Sequence, residues 1–204
     1  MLLTACAELI LVLSLMFAVW RLSQLKVGNS EAPQAASIFA LLFLALLTIA
    51  ITASFGAVRY YALTPDAASD LISMKIWGFR LDDLHDGLSS ISRNFAMPIY
   101  LFATVWLWGR LPLWFAPALL AMAMLPQLGL FGLFTDAALI LMLLALLQNV
   151  TARRWVVVAI VWLLAVPFCI ALIPNNDVAM AFFHLCLAAH FMSYAQALPK
   201  LAKA

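Results

Sequence analysis

The feature that most narrows the choice of fold is a succession of apolar runs, each about 17–21 residues long and set off by short polar clusters. A helix of that length crosses roughly 30 Å of hydrocarbon at about 1.5 Å per residue. Hydrocarbon offers the backbone no hydrogen-bond partner, so a spanning segment has to satisfy its own N–H and C=O groups. Nothing in the runs alternates with a period of two, which excludes barrel strands and leaves helices. Of the 204 residues, 67% are hydrophobic and 10% charged. Soluble domains have about 45–50% and 25%, so no water-facing surface can be assembled from this chain.

The runs predict an all-α membrane protein, a single polytopic domain over 1–204 that forms a seven-transmembrane helix bundle. Its helices are expected at about 2–20, 36–56, 85–108, 112–130, 134–150, 155–173 and 177–197. Lys26, Gly28, Asn29 and Pro33 make the first loop, and the longest connection, 57–83, is too polar to span. Within it the segment of about 68–78, and Leu71 to Trp77 in particular, is expected to lie in the membrane interface as a short amphipathic turn. Pro98 and Pro167 fall inside helices, Pro117 and Pro126 bend the fourth, and Asn176 is expected to cap the last. Leu3-Thr4-Ala5-Cys6 has the look of a lipoprotein cleavage box, but only two residues precede it, too few for a signal peptide. Cys6, Cys169 and Cys186 are an odd number scattered through apolar runs and read as small buried hydrophobes.

Short cytoplasmic loops collect Lys and Arg. With seven helices, Arg21, Lys26, Arg110, Arg153, Arg154, Lys200 and Lys203 all fall on one side, which places the N-terminus outside and the C-terminus in the cytoplasm. Trp20, Trp106, Trp108, Trp114 and Trp155 gather at the same boundary, as an aromatic belt does. Of the acids only Glu31 falls inside. Glu8, Asp66, Asp70, Asp82, Asp83, Asp86, Asp136 and Asp177 belong to the outer loops or outer helix halves. Asp136 and Asp177 sit at helix starts, where the macrodipole favours a carboxylate.

Three polar residues ask for more than that: Glu8 in the first helix, His85 at the head of the third and His184 in the last. Glu8 and His184 each lie about seven residues into a helix that starts outside, hence roughly 10 Å below the outer edge. Asp177 precedes His184 by seven positions and returns to nearly the same face, whereas His190 is turned about 120° away and lies about 9 Å deeper. An ionisable group within a span faces the bundle and meets a partner. Imidazole nitrogen and carboxylate oxygen are ligands that zinc takes, and three protein ligands leave a fourth position for water. Glu8, His85 and His184 are therefore the candidate metal ligands. Asp82 or Asp86 would orient His85 or act as general base, and Asp177 and Arg93 would stand behind them. The same three residues also suit hydrogen-bonded links between helices, a proton or cation relay, or axial ligation of a b-type haem by His85 and His184. Arg93 is expected to pair with Asp86 or to meet an anionic group, and Ser89, Ser90 and Ser92 to bond back to helix carbonyls. No Lys falls within a span to form a retinal Schiff base, and no basic aromatic patch suggests nucleic acid. The partner expected is the lipid bilayer, with a lipid as the candidate substrate.

An acid in the first helix and histidines in an early and the last helix, on one side of seven, resembles the membrane hydrolase superfamily of alkaline ceramidases and progestin and adipoQ receptors. The resemblance rests on Glu8, His85 and His184 and implies a zinc-dependent amide hydrolase acting on lipid. That superfamily carries S-x-x-x-H in an early helix and H-x-x-x-H in the last. Here Leu81 and Ala188 stand in place of the Ser and the second His. The last helix, from Asn176-Asp177 to His184, is also similar to that of uncharacterised bacterial seven-helix proteins, which implies the bacterial inner (cell) membrane as location.

Overall fold

The computed structural model describes residues 1–25, 33–64, 73–108 and 149–201. In chain order it has α1 (Leu2–Ser23), α2 (Pro33–Ala62), a hairpin of β1 (Lys75–Ile76) and β2 (Phe79–Arg80), and α3 (Leu81–Ile91). A π-helical turn (Ser92–Ala96) leads into α4 (Met97–Trp108), and α5 (Arg153–Leu172) and α6 (Asn176–Leu201) follow. The chain is mostly helical, and three helices among the described residues are long and apolar enough to cross a membrane: Leu2–Ser23, Ala36–Ala62 and Asn176–Leu201. The expected count of seven is not reached among the described residues. The helix expected at 112–130 and nearly all of that at 134–150 lie outside them.

The third expected helix, 85–108, begins earlier, at Leu81, and is composite. Pro98 has no N–H to give to the turn before it, and its ring crowds the carbonyl four residues back. The helix accommodates this with the wide turn at Ser92–Ala96, so that α3 and α4 are each too short to span alone. α2 does not stop at Gly56 as expected but runs to Ala62, and Arg59 near its end pairs with Asp82 at 2.7 Å. The expected amphipathic turn at 68–78 is in its described part a two-stranded hairpin, with Lys75 opposite Arg80 and Ile76 opposite Phe79. The cap of α6 is Asn175, one residue before the expected Asn176: its Oδ1 accepts the N–H groups of Asp177 and Val178 at 3.0 and 3.1 Å.

α1 packs between α2 and α6, α5 packs on α6, and α4 on α2. Lipid tails are as apolar as leucine, so helices in a bilayer hold together by close packing and hydrogen bonds rather than by the hydrophobic effect. The contact faces suit this. Ala7, Ser14 and Ala18 of α1 and Ala181, Ala188 and Ala195 of α6 are buried and let backbones approach, while Leu15, Leu22, Leu42, Leu46 and Phe191 fill the seams. The outward faces carry Leu9, Leu13, Leu44, Ile51, Phe168 and Phe182, a surface made for hydrocarbon. Hydroxyls in the spans bond back to carbonyls of their own helix, as Ser14 does to Ile10 and Thr48 to Leu44, each at 2.8 Å.

The helix ends sort into two levels. Thr4 Oγ1 donates to the Asp177 carbonyl at 3.1 Å, so α1 and α6 start at one end, and the Arg59–Asp82 pair joins the end of α2 to the start of α3. At the other end Arg21 lies over Trp20, and Arg154 and Lys200 both lie over Trp155, each 5.9 Å from a ring centre.

Candidate functional site

Glu8 from α1, His85 from α3 and His184 from α6 lie in one pocket, with only 4%, 9% and 6% of their surfaces exposed. Glu8 Oε1 stands 3.1 Å from His184 Nε2. α2 closes the pocket at Gly56. A Cβ there would collide with the Glu8 carboxylate and come within 3.3 Å of His85 Nε2, so the missing side chain is what lets the backbone of α2 lie against both. One turn on, the ring of Tyr60 is 6.3 Å from that of His85 and 6.1 Å from that of His184. The one hydrogen of the Thr52 hydroxyl is shared between the Thr48 carbonyl of its own helix at 3.0 Å and the Leu88 carbonyl of α3 at 3.2 Å.

The hydrogen bonding of the three residues is incomplete. Whichever partner holds the proton between them, the Glu8–His184 contact uses one carboxylate oxygen and one ring nitrogen. Glu8 Oε2 and His184 Nδ1 remain buried without a hydrogen-bond partner, and so does His85 Nδ1. Asp86 Oδ1 approaches His85 Nδ1 at 3.5 Å, beyond hydrogen-bond range, and Ser89 Oγ is 3.4 Å from His85 Nε2. A buried polar atom left unpaired costs about 1–3 kcal/mol, so three in one pocket are a substantial debit unless something else meets them.

The other residues expected at the site are placed as follows. Asp86 is beside His85, whereas Asp82 is engaged by Arg59 Nε at 2.7 Å. Asp177 is at the exposed end of α6, its carboxylate 3.3 Å from the Met1 amine. Arg93 is in the π-helical turn, beyond α3. Ser89, expected to bond back to a carbonyl, faces the His85 ring, and Ser90 Oγ accepts from Asn94 at 3.1 Å. Cys6 is exposed rather than buried, and the sulfurs of Cys169 and Cys186 are 3.6 Å apart. Among the described residues, no group of three His, Cys, Asp or Glu side chains is arranged to hold a metal ion. The donor types suit zinc, but only Glu8 and His184 touch.

Sequence reasoning missed Gly56, Tyr60 and Arg59. Gly56 and Arg59 carry the signature of a helix end, which hid their place at the site. It also missed a second polar cluster nearer the other end. His190, set aside as turned away and deeper, puts Nδ1 2.7 Å from the Ala159 carbonyl and Nε2 2.8 Å from the Tyr100 hydroxyl. A carbonyl only accepts, so Nδ1 carries the hydrogen; in a neutral ring Nε2 then accepts from Tyr100. Thr104 Oγ1 and the Tyr194 hydroxyl pair at 2.9 Å, and the rings of Tyr100 and Tyr194 meet edge to face.

Comparison with protein-family models, with curated proteins and with solved structures finds no match for this chain.

Proposed function

We propose that this protein is an intramembrane zinc-dependent hydrolase of a lipid amide or ester, with Glu8, His85 and His184 as the metal ligands. The observation that carries the reading is the convergence of one buried carboxylate and two buried imidazoles, with Glu8 and His184 in direct contact. Ligands at about 2.0–2.1 Å from a tetrahedral zinc lie roughly 3.3 Å from one another, close to the 3.1 Å between Glu8 and His184. His85 has to turn from Ser89 toward that pair to complete the set, and Asp86 is the carboxylate placed to steady its ring as it does so. Zinc there would polarise a carbonyl and lower the pKa of water. The chain's own part is to exclude water with Gly56 and Tyr60 packed over the pocket, and to hold the carboxylate and imidazoles against lipid depth. The resemblance to the ceramidase and adipoQ receptor superfamily points the same way.

The seven crossings and the exported N-terminus belong to the same proposal. Tyr100 pairs with His190 and Thr104 with Tyr194, so α4 runs parallel to α6 and Trp108 comes to the end of the bundle where α5 begins. Two further crossings between them preserve that parity. The cationic, Trp-rich end would be cytoplasmic, in a bacterial inner membrane. A reporter active only in the cytoplasm, fused after Lys203, is expected to be active; activity only from an exported reporter reverses the orientation.

Metal analysis of detergent-purified protein tests the site. Near-stoichiometric zinc is expected in the wild type and its loss in Glu8→Ala and His184→Ala, with helical content unchanged. A wild type free of metal defeats the zinc reading. A second reading, a proton or cation carrier, is favoured by the direct Glu8–His184 contact, which needs no metal to form. It predicts ion flux into liposomes that Glu8→Ala abolishes. Ligation of a b-type haem by His85 and His184 predicts a visible absorption band, and a non-catalytic receptor or assembly protein predicts none of these signals.

A further inference from the structure

The hairpin ahead of α3 has a backbone that its own contacts do not justify. Its two-residue turn is Trp77-Gly78, with φ of 53° and 87°. Both residues of such a turn need positive φ, which is why Asn-Gly is the favoured pair and a bulky aromatic at the first position is an outlier. Strain of this kind persists where something offsets it. Among the described residues nothing does so, since Trp77 is 84% exposed, and Phe79 beside it is 61% exposed.

The two faces of the hairpin differ in kind. Residues directly opposite in an antiparallel pair project from the same face, so Ile76 and Phe79 share one and Lys75 and Arg80 share the other. Like charges placed opposite each other destabilise a hairpin, and here both cations are exposed. The element therefore presents an indole and a phenyl ring at its tip and a pair of cations behind them. Two costs, one of backbone and one of charge, are relieved together by a partner that is apolar at depth and anionic above. A phospholipid interface has that profile, with acyl carbon below the phosphates, and Trp is enriched at that level.

We infer that the hairpin Lys75–Arg80 inserts Trp77 and Phe79 into the bilayer interface, with Lys75 and Arg80 on lipid phosphates. Because α3 starts at Leu81, directly after β2, this anchor fixes the depth at which α3 enters and hence the height of His85. The inference needs no metal and no catalysis, so it stands or falls apart from the hydrolase reading.

Trp77 emission provides the test, in nanodiscs of phosphatidylethanolamine and phosphatidylglycerol. Trp77→Asn keeps a residue suited to positive φ, so subtracting its spectrum from that of the wild type isolates Trp77 without breaking the turn. The difference signal is expected to be quenched by lipids brominated near the headgroup and spared by aqueous iodide. Replacing Lys75 and Arg80 together by Gln is expected to lower the bromolipid quenching by weakening the hold on phosphate. Quenching by iodide and not by bromolipid overturns the inference. So does protection from both quenchers, which would mean that protein, not lipid, covers the hairpin.

Discussion

Two buried polar clusters stand out among the described residues of the bundle, and they differ in how completely they are satisfied. Toward one end His190 has a partner for each ring nitrogen, and the hydroxyls of Tyr100, Thr104 and Tyr194 are all engaged. Toward the other, Glu8, His85 and His184 share a pocket in which three buried atoms have none. In a low-dielectric interior a closed network rigidifies, whereas an open one costs stability. The first cluster thus reads as a clasp that sets α4, α5 and α6 in register. The second is the one in which buried polar atoms lack partners. Both histidines of α6 are at home in apolar surroundings, so burial does not tell a clasp from a site; the unpaired atoms do.

The contrast is broken most forcefully at His190. His190→Ala removes a fully buried ring, leaves the Tyr100 hydroxyl without its partner and takes from the Ala159 carbonyl its contact across to α6. The combined cavity and desolvation penalty is expected to be about 3 kcal/mol, read as a large fall in thermal stability in detergent. A shift no larger than that of a lipid-facing substitution such as Leu13→Ala would mean that the clasp is not what holds α5 and α6 together.

Gly56→Ala comes next. The added methyl group has to displace the Glu8 carboxylate and press on His85, an overpacking expected to cost about 1–3 kcal/mol. It is also expected to reduce zinc content, since it occupies space that Glu8 and His85 border. Zinc retained at wild-type level, with stability lowered, would place the ion elsewhere.

A milder change to the clasp is Tyr100→Phe, which keeps the ring and deletes the donor to His190 Nε2. Interhelical hydrogen bonds in membranes average about 0.6 kcal/mol, with the largest near 1.7, and a fully buried imidazole acceptor belongs toward the upper end. About 1 kcal/mol is expected, measured against Tyr194→Phe, which deletes only a hydroxyl–hydroxyl contact and should cost less.

How much of this could be read from the sequence depended on which physical signal a residue carries. Helix character was plain, because apolar runs of spanning length leave the backbone no other solution. The meeting of Glu8 with His184 was legible because two ionisable residues at one depth in apolar helices have to find a partner. Gly56 was not legible: a glycine followed by Arg59 resembles a helix end, and only the approach of α2 to Glu8 reveals its use. The strand pairing at Lys75–Arg80 was not legible because a two-residue strand is too short to show alternation and Trp77 is an unfavourable turn residue. Tyr100 and Tyr194 were passed over among many aromatics, since nothing in a sequence says which hydroxyl in an apolar helix has a partner. The expected helix between 85 and 108 was right in existence, but the π-helical turn before Pro98 lay below the resolution of a hydropathy pattern.

The smallest effect is expected where the two clusters should differ in sign. Replacing Glu8 and His184 together by Leu deletes a hydrogen bond but also removes two of the three unpartnered atoms. Exchanging an imperfectly satisfied buried polar pair for apolar side chains is often neutral or stabilising. In protein stripped of metal by a chelator, the double variant is therefore expected to be within about 1 kcal/mol of the wild type, and on the stable side of it. The matched exchange in the clasp, Tyr100→Phe with His190→Leu, abolishes two good hydrogen bonds between helices, so it should destabilise. Opposite signs would mean that the open pocket is kept at the expense of stability, as binding sites commonly are. If both exchanges destabilise equally, Glu8 and His184 are a second clasp, and the case for a ligand between them is lost.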